Sequence, residues 1–268
     1  MLWVPSMKIK TRLLICILFV AVVPLVASVS ALGLFVWQQV KESSLAAVSD
    51  KLVAVREIQK NRVEKFISDQ QVLAGFVARD PTTILAAENF VKSFNLNHDV
   101  AKEDAIALES FYLNDFYRQY QFHEKDVDKN VAQTLYSGMD ASAVYYQKQY
   151  IVDNPHQIEE KHLLLQGEKR GRFTARYDLY HAEYHPSLRL TKQAFSFNDL
   201  YIVSTDGRVV YSVQKHVDFG TALDNGPFAE SGLSIAWRKA MAAESGKAVL
   251  SDFVAHDASS GSLSMFVG

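Results

Sequence analysis

The sequence predicts an α+β protein with one N-terminal transmembrane helix, a long exported helix with further helices, and a small antiparallel sheet with one packed helix. Three observations lead to this prediction. Residues 13–37 carry no charge, residues 41–79 repeat apolar side chains at helical spacing, and from Phe195 onward short β-rich segments alternate with turn residues. The predicted parts are a cytoplasmic tail (1–12), a transmembrane helix (13–37), an extracytoplasmic helical region (38–194) and a sheet lobe (195–268).

The uncharged run of residues 13–37 predicts the membrane anchor. It is 25 residues long, and a helix needs about 20 residues to cross the hydrocarbon core. Lys8, Lys10 and Arg12 precede the run, and the first acidic residue of the chain is Glu42. Because basic flanks stay in the cytoplasm, we expect a cytoplasmic N-terminus and an exported bulk.

A cleaved signal peptide is the competing interpretation of the same run. The apolar part of a signal peptide is usually about 7–15 residues long and is followed by small residues at the cleavage site. Residues 28–31 are small, but the apolar run continues past them to Trp37, a residue type that suits the membrane boundary. The length of the run therefore favours an uncleaved anchor.

Composition narrows the classes of partner. Without the three basic residues that precede the run, 25 Lys and Arg remain against 30 Asp and Glu. This mildly acidic balance argues against nucleic-acid binding. The single cysteine, Cys16, lies inside the predicted span, so the exported part has no disulfide and no thiolate metal site. That composition suits a bacterial envelope protein.

The segment after the span predicts one long amphipathic helix over residues 41–79, ended by Asp80 and Pro81. Leu45, Val48, Leu52 and Val55 repeat at 3–4–3 spacing. Two interpretations stay open: the stripe belongs to a core helix of the exported domain, or it packs against a second copy in a homodimer.

The next region is also expected to be helical, over residues 82–150. Its aromatic residues, at helical spacing, predict a core and less strongly a ligand platform; they are Phe111, Tyr112, Phe116, Tyr117, Tyr120, Phe122, Tyr145, Tyr146 and Tyr150. Residues 153–155 predict a turn, residues 156–172 a connecting loop, and residues 173–194 a return to helix.

The C-terminal part predicts the order β–β–α–β–β. Strands are expected at 200–204 and 208–213 around an Asp206–Gly207 hairpin turn. A loop at 220–226, a helix at 229–243, a strand at 248–255, a turn at 256–261 and a strand at 262–267 follow. The chain then stops within an apolar strand, so we expect it to be the N-terminal piece of a longer protein whose next strand covers that edge.

Five short segments of the sequence carry a further signal: residues 150–155 (YIVDNP), 182–186 (AEYHP), 198–213 (NDLYIVSTDGRVVYSV), 217–221 (VDFGT) and 226–228 (GPF). Together they resemble the sequence motifs of the Cache family, a PAS-like group of extracytoplasmic sensors. The resemblance covers about residues 40–268, and it implies a sensor of small solutes in a receptor most similar to methyl-accepting chemotaxis proteins. Receptor histidine kinases, adenylate or diguanylate cyclases and phosphatases carry similar sensors. The resemblance also implies signalling partners in the cytoplasm, reached through a missing C-terminal part.

Five residues are candidates for the lining of a small-ligand pocket against the sheet: Tyr201, Tyr211, Asp218, Trp237 and Arg176. Tyrosine and tryptophan combine an apolar body with a polar tip, and Arg176 could pair with an anionic solute. The alternatives are structural. Asp218 could bond the backbone of a turn at Gly220, and an arginine is most often a surface charge.

His181 and His185 are weaker candidates, for a metal site. They stand four residues apart, so they share one face if the segment is helical. No third ligand is near in sequence, and Pro186 follows directly, where a helix could end. Helix capping or hydrogen bonding near a turn is the main alternative, and ligand contact is another.

The sequence holds no Gly-x-Ser-x-Gly elbow, no phosphate-binding glycine loop and no dinucleotide fingerprint. We therefore expect neither an enzyme nor a cofactor within these residues. The expected function is the sensor region of a bacterial signal transducer. A membrane-anchored structural or assembly protein is the alternative from another class.

The orientation of the chain can be tested by cysteine accessibility. With Cys16 replaced by serine, a Ser6→Cys label site should be protected from an impermeant thiol reagent in intact cells, because the basic flank holds it inside. A Ser44→Cys site beyond the apolar run should react. Labelling of position 6 from outside would contradict the predicted orientation.

Overall fold

The structure, a computed structural model, describes residues 9–94, 98–125, 127–128, 130–164 and 176–268. The predicted tail before residue 9, the loop over 165–172 and the first helical residues, 173–175, lie outside the described residues. The chain divides into two compact units, Met1–Phe66 and Ile67–Gly268. The α-helices are α1 (Ile9–Arg79), α2 (Pro81–Ser93), α3 (Lys102–Phe111), α4 (Tyr117–His123), α5 (Val131–Ser137), α6 (Ala141–Gln147), α7 (Arg176–Ala194) and α8 (Gly232–Ala242). The strands are β1 (Tyr201–Val203), β2 (Val209–Ser212), β3 (Val254–His256) and β4 (Ser262–Ser264).

Helix α1 contains both the apolar run and the amphipathic segment, so the predicted continuous helix over 41–79 is confirmed. Among the described residues it is the one helix long and apolar enough to cross a membrane, with a mean hydropathy of 2.8 over its most apolar 18-residue window. A signal sequence would pass the same test of length and composition.

The two parts of α1 differ in what covers their apolar side chains. In the first unit Leu45, Val48 and Leu52 are exposed, Leu52 by 65%. In the second unit Val77 is buried in a hydrophobic cluster. The apolar stripe of the first part is therefore exposed within this chain, whereas the last turns of α1 pack into a hydrophobic core.

Helix α1 ends at Arg79, directly before Asp80 and Pro81, as the sequence predicted. The side chain of Asp80 accepts a hydrogen bond from the Thr83 backbone N–H at 2.9 Å, and Pro81 occupies the first helical position of α2. An N-cap aspartate followed by proline starts a new helix because the aspartate side chain satisfies an N–H of the first turn and proline has no N–H to leave unpaired.

Helices α2–α6 confirm the helical prediction for residues 82–150. Two π-helical turns, Tyr112–Phe116 and Lys148–Val152, continue α3 and α6. Most of the predicted aromatic core is buried, but Phe122 is 82% exposed, so its assignment to the core was wrong. Phe122 lies one residue from the end of the short helix α4, where no second element covers it among the described residues.

Two predictions between residues 156 and 194 need correction. The described part of the predicted loop contains a 3-10 helix, Ile158–Leu163, held by the buried Lys161, whose Nζ donates to the Asn154 carbonyl at 2.9 Å. Pro186 does not end the helix, because α7 runs on to Ala194. Tyr184 and Leu188 are buried on either side of the exposed Pro186, and their packing outweighs the lost backbone hydrogen bond.

The first hairpin pairs β1 with β2 in antiparallel register, with a bulge after Ile202. The Asp206–Gly207 turn is confirmed: Gly207 has φ +85° and donates its N–H to the Ser204 carbonyl at 2.9 Å. A Cβ at Gly207 would lie 3.0 Å from the Trp237 ring, so both the backbone and the space demand glycine. The predicted loop at 220–226 was partly wrong, since Thr221 and Gly220 exchange backbone hydrogen bonds with Val209.

The second hairpin pairs β3 with β4 and forms a separate two-stranded sheet, so the expected single four-stranded sheet was wrong. Both strands are shorter than predicted, although Val249 and Gly268 extend the ladder with two hydrogen bonds of 2.8 and 3.0 Å. Helix α8 starts at Gly232 rather than at 229, because Ser231 caps it by accepting the Ser234 N–H. The antiparallel pairing and the chain order of the elements are as predicted.

Dimerisation through the exposed stripe of α1 stays a prediction. Replacing Leu52 and Val55 by aspartate should reduce self-association of the full chain in detergent, since the charges would lie on the stripe, without unfolding Ile67–Gly268. Analytical ultracentrifugation measures the association. The control is Ala54→Asp, an exposed position on the opposite side of the helix. A monomer before and after the change would refute the dimer.

Candidate functional site

Two hydrophobic clusters form the core of the second unit, and most of the functional candidates lie in them or beside them. The first cluster includes Phe90, Tyr150, Tyr177 and Tyr211. The second includes Tyr112, Phe116, Val209 and Val217, with Tyr201 and Trp237 packed against it. Strand β2 supplies residues to both, and all four of its residues are buried.

In the first cluster Tyr211 meets His185. The Tyr211 ring stacks on Phe90 with centroids 4.5 Å apart, and its hydroxyl lies 2.7 Å from His185 Nδ1. His185 Nε2 lies 2.7 Å from the His162 carbonyl oxygen. Since a carbonyl only accepts, Nε2 carries the proton and Nδ1 accepts from Tyr211. The imidazole is thus neutral, with both nitrogens occupied.

The electrostatics of this contact agree with a neutral imidazole. Burial, with the Lys215 ammonium acting in the same direction, lowers the pKa of His185 to about 3. Burial, together with the Asp199 carboxylate, raises the pKa of Tyr211 well above its ordinary value. Neither group titrates near neutral pH, so the contact is a fixed hydrogen bond under ordinary conditions.

Lys215 is a buried lysine, 2% exposed, that directly follows the first hairpin. Its Nζ lies over three aromatic rings, 4.1 Å from the centroid of Tyr211 and 5.1 Å from that of Phe219, and donates to the Ser212 carbonyl. Its φ of +60° is left-handed, and its own N–H bonds to Ser212 Oγ. The ring faces hold the charge where water is excluded.

His181 and His185 share one face of α7, as their spacing predicted, with rings stacked 4.4 Å apart. The geometry does not favour a metal site, because both nitrogens of His185 are occupied. Among the described residues no group of three or more His, Cys, Asp or Glu side chains could hold a metal ion. The pair lies within the helix and not at a cap.

The second polar centre is an acid–histidine cluster, which we define as Asp199, Tyr201, His216, Asp218 and His256. Asp218 is 0% exposed and His256 is 2% exposed, and Asp218 Oδ2 lies 3.0 Å from His256 Nε2. The phenol of Tyr201 faces the carboxylates of both Asp218 and Asp199. His216 lies close enough to Asp199 to influence its charge.

The Asp199 side chain bonds both strands of the first hairpin. Its Oδ1 accepts three backbone N–H bonds, from Leu200 at 2.7 Å and from Val213 and Gln214 at 3.0 Å. One carboxylate oxygen therefore ties the start of β1 to the end of β2. Burial still raises the pKa of Asp199, with the Asp218 charge in the same direction and His216 opposing both.

Asp218 has the structural role in a turn that the sequence analysis gave as one alternative, and its carboxylate also takes part in the acid–histidine cluster. Its backbone carbonyl accepts from Thr221 Oγ1 at 2.7 Å, and Gly220 has φ +82°, as a turn requires. Its carboxylate points the other way, to His256. Four buried atoms of the acid–histidine cluster have no hydrogen-bond partner of good geometry among the described residues: Asp199 Oδ2, His216 Nδ1, Asp218 Oδ1 and His256 Nδ1.

The structure brings together two of the five predicted pocket residues, Tyr201 and Asp218. Tyr211 belongs to the first cluster, bonded to His185. Trp237 is half-buried on α8 over the Gly207 turn, and Arg176 is exposed at the start of α7. The five side chains therefore do not meet in one cluster.

Sequence reasoning missed Asp199, His256, Lys215 and the buried pair of Tyr150 and Asp178, in which the phenol donates to the carboxylate at 2.5 Å. Asp199 directly precedes the predicted first strand, and an aspartate there is a recognisable N–H acceptor. No pattern in the sequence marked His256, which the prediction had placed in a turn.

A small surface cleft lies beside the second cluster, with about 20 Å³ of space for a water-sized molecule. Phe111, Phe116 and Ile158 give it apolar walls, while Glu159 and His216 add polar groups. Small-molecule sites combine apolar walls with a few polar groups in this way. Gln119 Nε2 donates to Glu159 Oε1 at 2.6 Å and orients that carboxylate.

No family model matches the chain, and no curated protein or solved structure is significantly similar to it.

The buried His185 should make the stability of the fold depend on pH. Its pKa is lowered to about 3 in the folded protein and is about 6.5 in an unfolded chain. The unfolded state therefore binds more protons between these values, and the free energy of unfolding falls as pH falls below 6.5, by up to about 1.4 kcal/mol per pH unit. Urea unfolding of the full chain at pH 4.5–7.5 measures the slope.

His185→Gln should flatten that slope, because the amide keeps polar contacts but cannot take up a proton in this range. The control is His123→Gln, on the exposed last residue of α4, which should leave the slope unchanged. An equally steep slope in His185→Gln would place the acid sensitivity in another group.

Proposed function

We propose that this chain is the extracytoplasmic sensor region of a bacterial transmembrane signal transducer, most like a chemotaxis receptor of the Cache type. It is anchored in the inner membrane with its N-terminus in the cytoplasm and passes the binding of a small solute to a cytoplasmic output. A kinase, cyclase or phosphatase output is an alternative within the same class, since the described residues do not include the output.

The observation that carries the proposal is the course of α1. One helix begins with a membrane-length apolar segment and ends inside the folded unit. Gln71 Nε2 donates to the Ala248 carbonyl at 3.4 Å and Arg79 Nη2 to the Gly246 carbonyl at 3.1 Å. The last turns of α1 thus touch the segment that leads into the second hairpin. A displacement of that segment has a direct path to the helix.

The buried polar groups support sensing over a purely structural role. Lys215, Asp218, His185 and His256 are all buried in one unit, although buried ionisable groups cost stability and could be replaced by apolar ones. Such groups concentrate at functional sites. The cleft beside His216 and Glu159 places polar groups next to apolar walls, as small-molecule sites do.

Signalling requires two states of the folded unit. A solute shifts their ratio only by its difference in affinity for the two. In one state the solute contacts Glu159 and His216 in the cleft, and the loop of Val217 and Asp218 moves with it. That motion reaches the second hairpin through His256 and reaches α1 through the backbone at 246–248. Small shifts of packed elements are a common form of such transitions.

One observation favours a membrane-anchored assembly protein as the second candidate. The exposed stripe of Leu45, Val48 and Leu52 is a surface for helix packing, and such a protein needs no solute. Ligand binding separates the two candidates.

The test is a thermal-shift screen of the full chain in detergent with amino acids, organic acids and amines. A solute that binds the folded state raises the melting temperature in proportion to the logarithm of its excess over Kd. Glu159→Gln should weaken the apparent affinity at least about tenfold if Glu159 bonds the solute as a charged acceptor. The shift in melting temperature at a given solute concentration should fall accordingly. The apo melting temperature should change little, because Glu159 is exposed.

The matched control is Glu124→Gln, another exposed glutamate, outside the cleft. It should leave both the shift and the apo protein unchanged. If no solute shifts the melting temperature, the sensor proposal fails in favour of the assembly protein. If a hit survives Glu159→Gln, the solute binds elsewhere.

A further inference from the structure

Three buried aromatic rings surround the ammonium of Lys215. Its Nζ lies 4.1 Å from the ring centroid of Tyr211, 5.1 Å from that of Phe219 and 5.8 Å from that of Tyr150. None of the three aromatic residues is more than 1% exposed. A cation over a ring face is attracted most strongly where water is excluded. We call these three ring faces the aromatic cage.

The remaining contact of the ammonium requires an N–H donor. The backbone carbonyl of Ser212 accepts a hydrogen bond from Lys215 Nζ, and a carbonyl oxygen only accepts. A quaternary ammonium carries the charge but has no N–H for this carbonyl. An uncharged chain gains nothing from the electrostatic attraction of the ring faces. A primary amine in its charged form meets both requirements.

Both tyrosines of the aromatic cage donate their phenol protons to other groups. Tyr211 donates to His185 Nδ1 at 2.7 Å, and Tyr150 donates to Asp178 Oδ1 at 2.5 Å. Because hydrogen-bonded groups polarise one another, a phenol that donates to a good acceptor has a more electron-rich ring. The ring faces that meet Lys215 are therefore suited to a positive charge, and the cage differs from an apolar gap filled by a long side chain.

The backbone at position 215 does not itself call for lysine. Its φ is +60°, a left-handed conformation that glycine and asparagine adopt more readily. Its N–H bonds Ser212 Oγ at 3.1 Å, and any residue except proline could make that bond. The feature that distinguishes lysine here is thus the ammonium at the end of its side chain.

We propose that the aromatic cage is a binding site for a primary ammonium group, which Lys215 occupies as a tethered ligand and for which a free primary amine competes. The tether gives Lys215 a high effective concentration at the cage. A free amine therefore binds this chain more weakly than it would bind a chain with an empty cage. Lys215 also borders the surface cleft, so an amine would approach from there. The site does not depend on the proposed function; an amine as the solute of the sensor does.

Lys215→Gly tests the site, because it empties the aromatic cage and suits the left-handed backbone. n-Butylammonium is the lysine side chain as a free molecule, and 1-butanol is an uncharged counterpart that can still donate to the Ser212 carbonyl. In thermal-shift titrations of the full chain in detergent, the variant should bind n-butylammonium at least about tenfold more tightly than 1-butanol. Tetramethylammonium, which has no N–H, should also bind more weakly. Equal affinities for the amine and the alcohol would show an apolar cavity and overturn the proposal.

The unaltered protein should bind n-butylammonium at least about tenfold more weakly than Lys215→Gly does, because Lys215 competes. Equal affinities in the two proteins would place the amine outside the cage and refute the proposal. Lys247→Gly, at an exposed lysine outside the helices, is the control and should respond as the unaltered protein does. Selective binding by Lys215→Gly, with no amine response in the unaltered protein, would support the cage while an amine failed as the solute of the sensor.

A ring variant tests the contribution of the aromatic faces. Phe219→Leu in the Lys215→Gly background removes one ring of the cage and no polar side-chain atom. It should weaken the binding of n-butylammonium about fivefold and change the binding of 1-butanol much less. An equal loss for both molecules would contradict recognition of the charge by the rings.

Lys215→Asn provides a second way to empty the cage, since asparagine tolerates left-handed backbone. Where either variant is unfolded alone, recovery of the folded state in n-butylammonium but not in 1-butanol is the equivalent result. The proposal is wrong if n-butylammonium neither stabilises nor refolds either variant beyond the effect of 1-butanol.

Discussion

The folded unit depends on burial of the first hairpin from both sides. Strand β2 is covered on both faces: Val210 and Tyr211 enter the first cluster, and Val209 enters the second. Because both faces of β2 are covered, the backbone N–H groups near its end have little access to water and must find partners within the protein. Asp199 Oδ1 accepts three such N–H groups, from Leu200, Val213 and Gln214. The hairpin thus organises the apolar packing and also fixes where the buried carboxylate lies.

The same constraint explains why polar chemistry is buried here. Residues after β2 leave the hairpin between the two clusters, so Lys215 and Asp218 cannot reach water. Lys215 turns to aromatic faces and a backbone carbonyl, and Asp218 turns to His256. Each contact joins elements that are distant in the chain. Buried polar contacts of this kind specify one arrangement among many apolar ones, at a cost in stability.

Helix α1 connects this chemistry to the apolar segment. Its last turns bond the backbone at 246–248, just before the second hairpin, while its first part exposes an apolar stripe. The end of α1 is therefore in direct contact with the backbone just before the second hairpin. The proposed sensor relies on these contacts.

The sequence by itself determined what depends on local pattern. The continuous α1, the Asp80–Pro81 break, the Asp206–Gly207 turn and the antiparallel order of the strands follow from periodicity and turn chemistry, which act within a few residues. Only the tertiary structure decided the rest: the passage of α7 through Pro186, the division into two sheets, and the pairing of Asp218 with His256, 38 residues apart. The five predicted pocket residues do not meet for a related reason. Tyr201 pairs with Ser212 and Ile202 pairs with Tyr211, so Tyr201 and Tyr211 lie on opposite faces of the hairpin and enter different clusters. Alternation along one strand cannot reveal what covers each face.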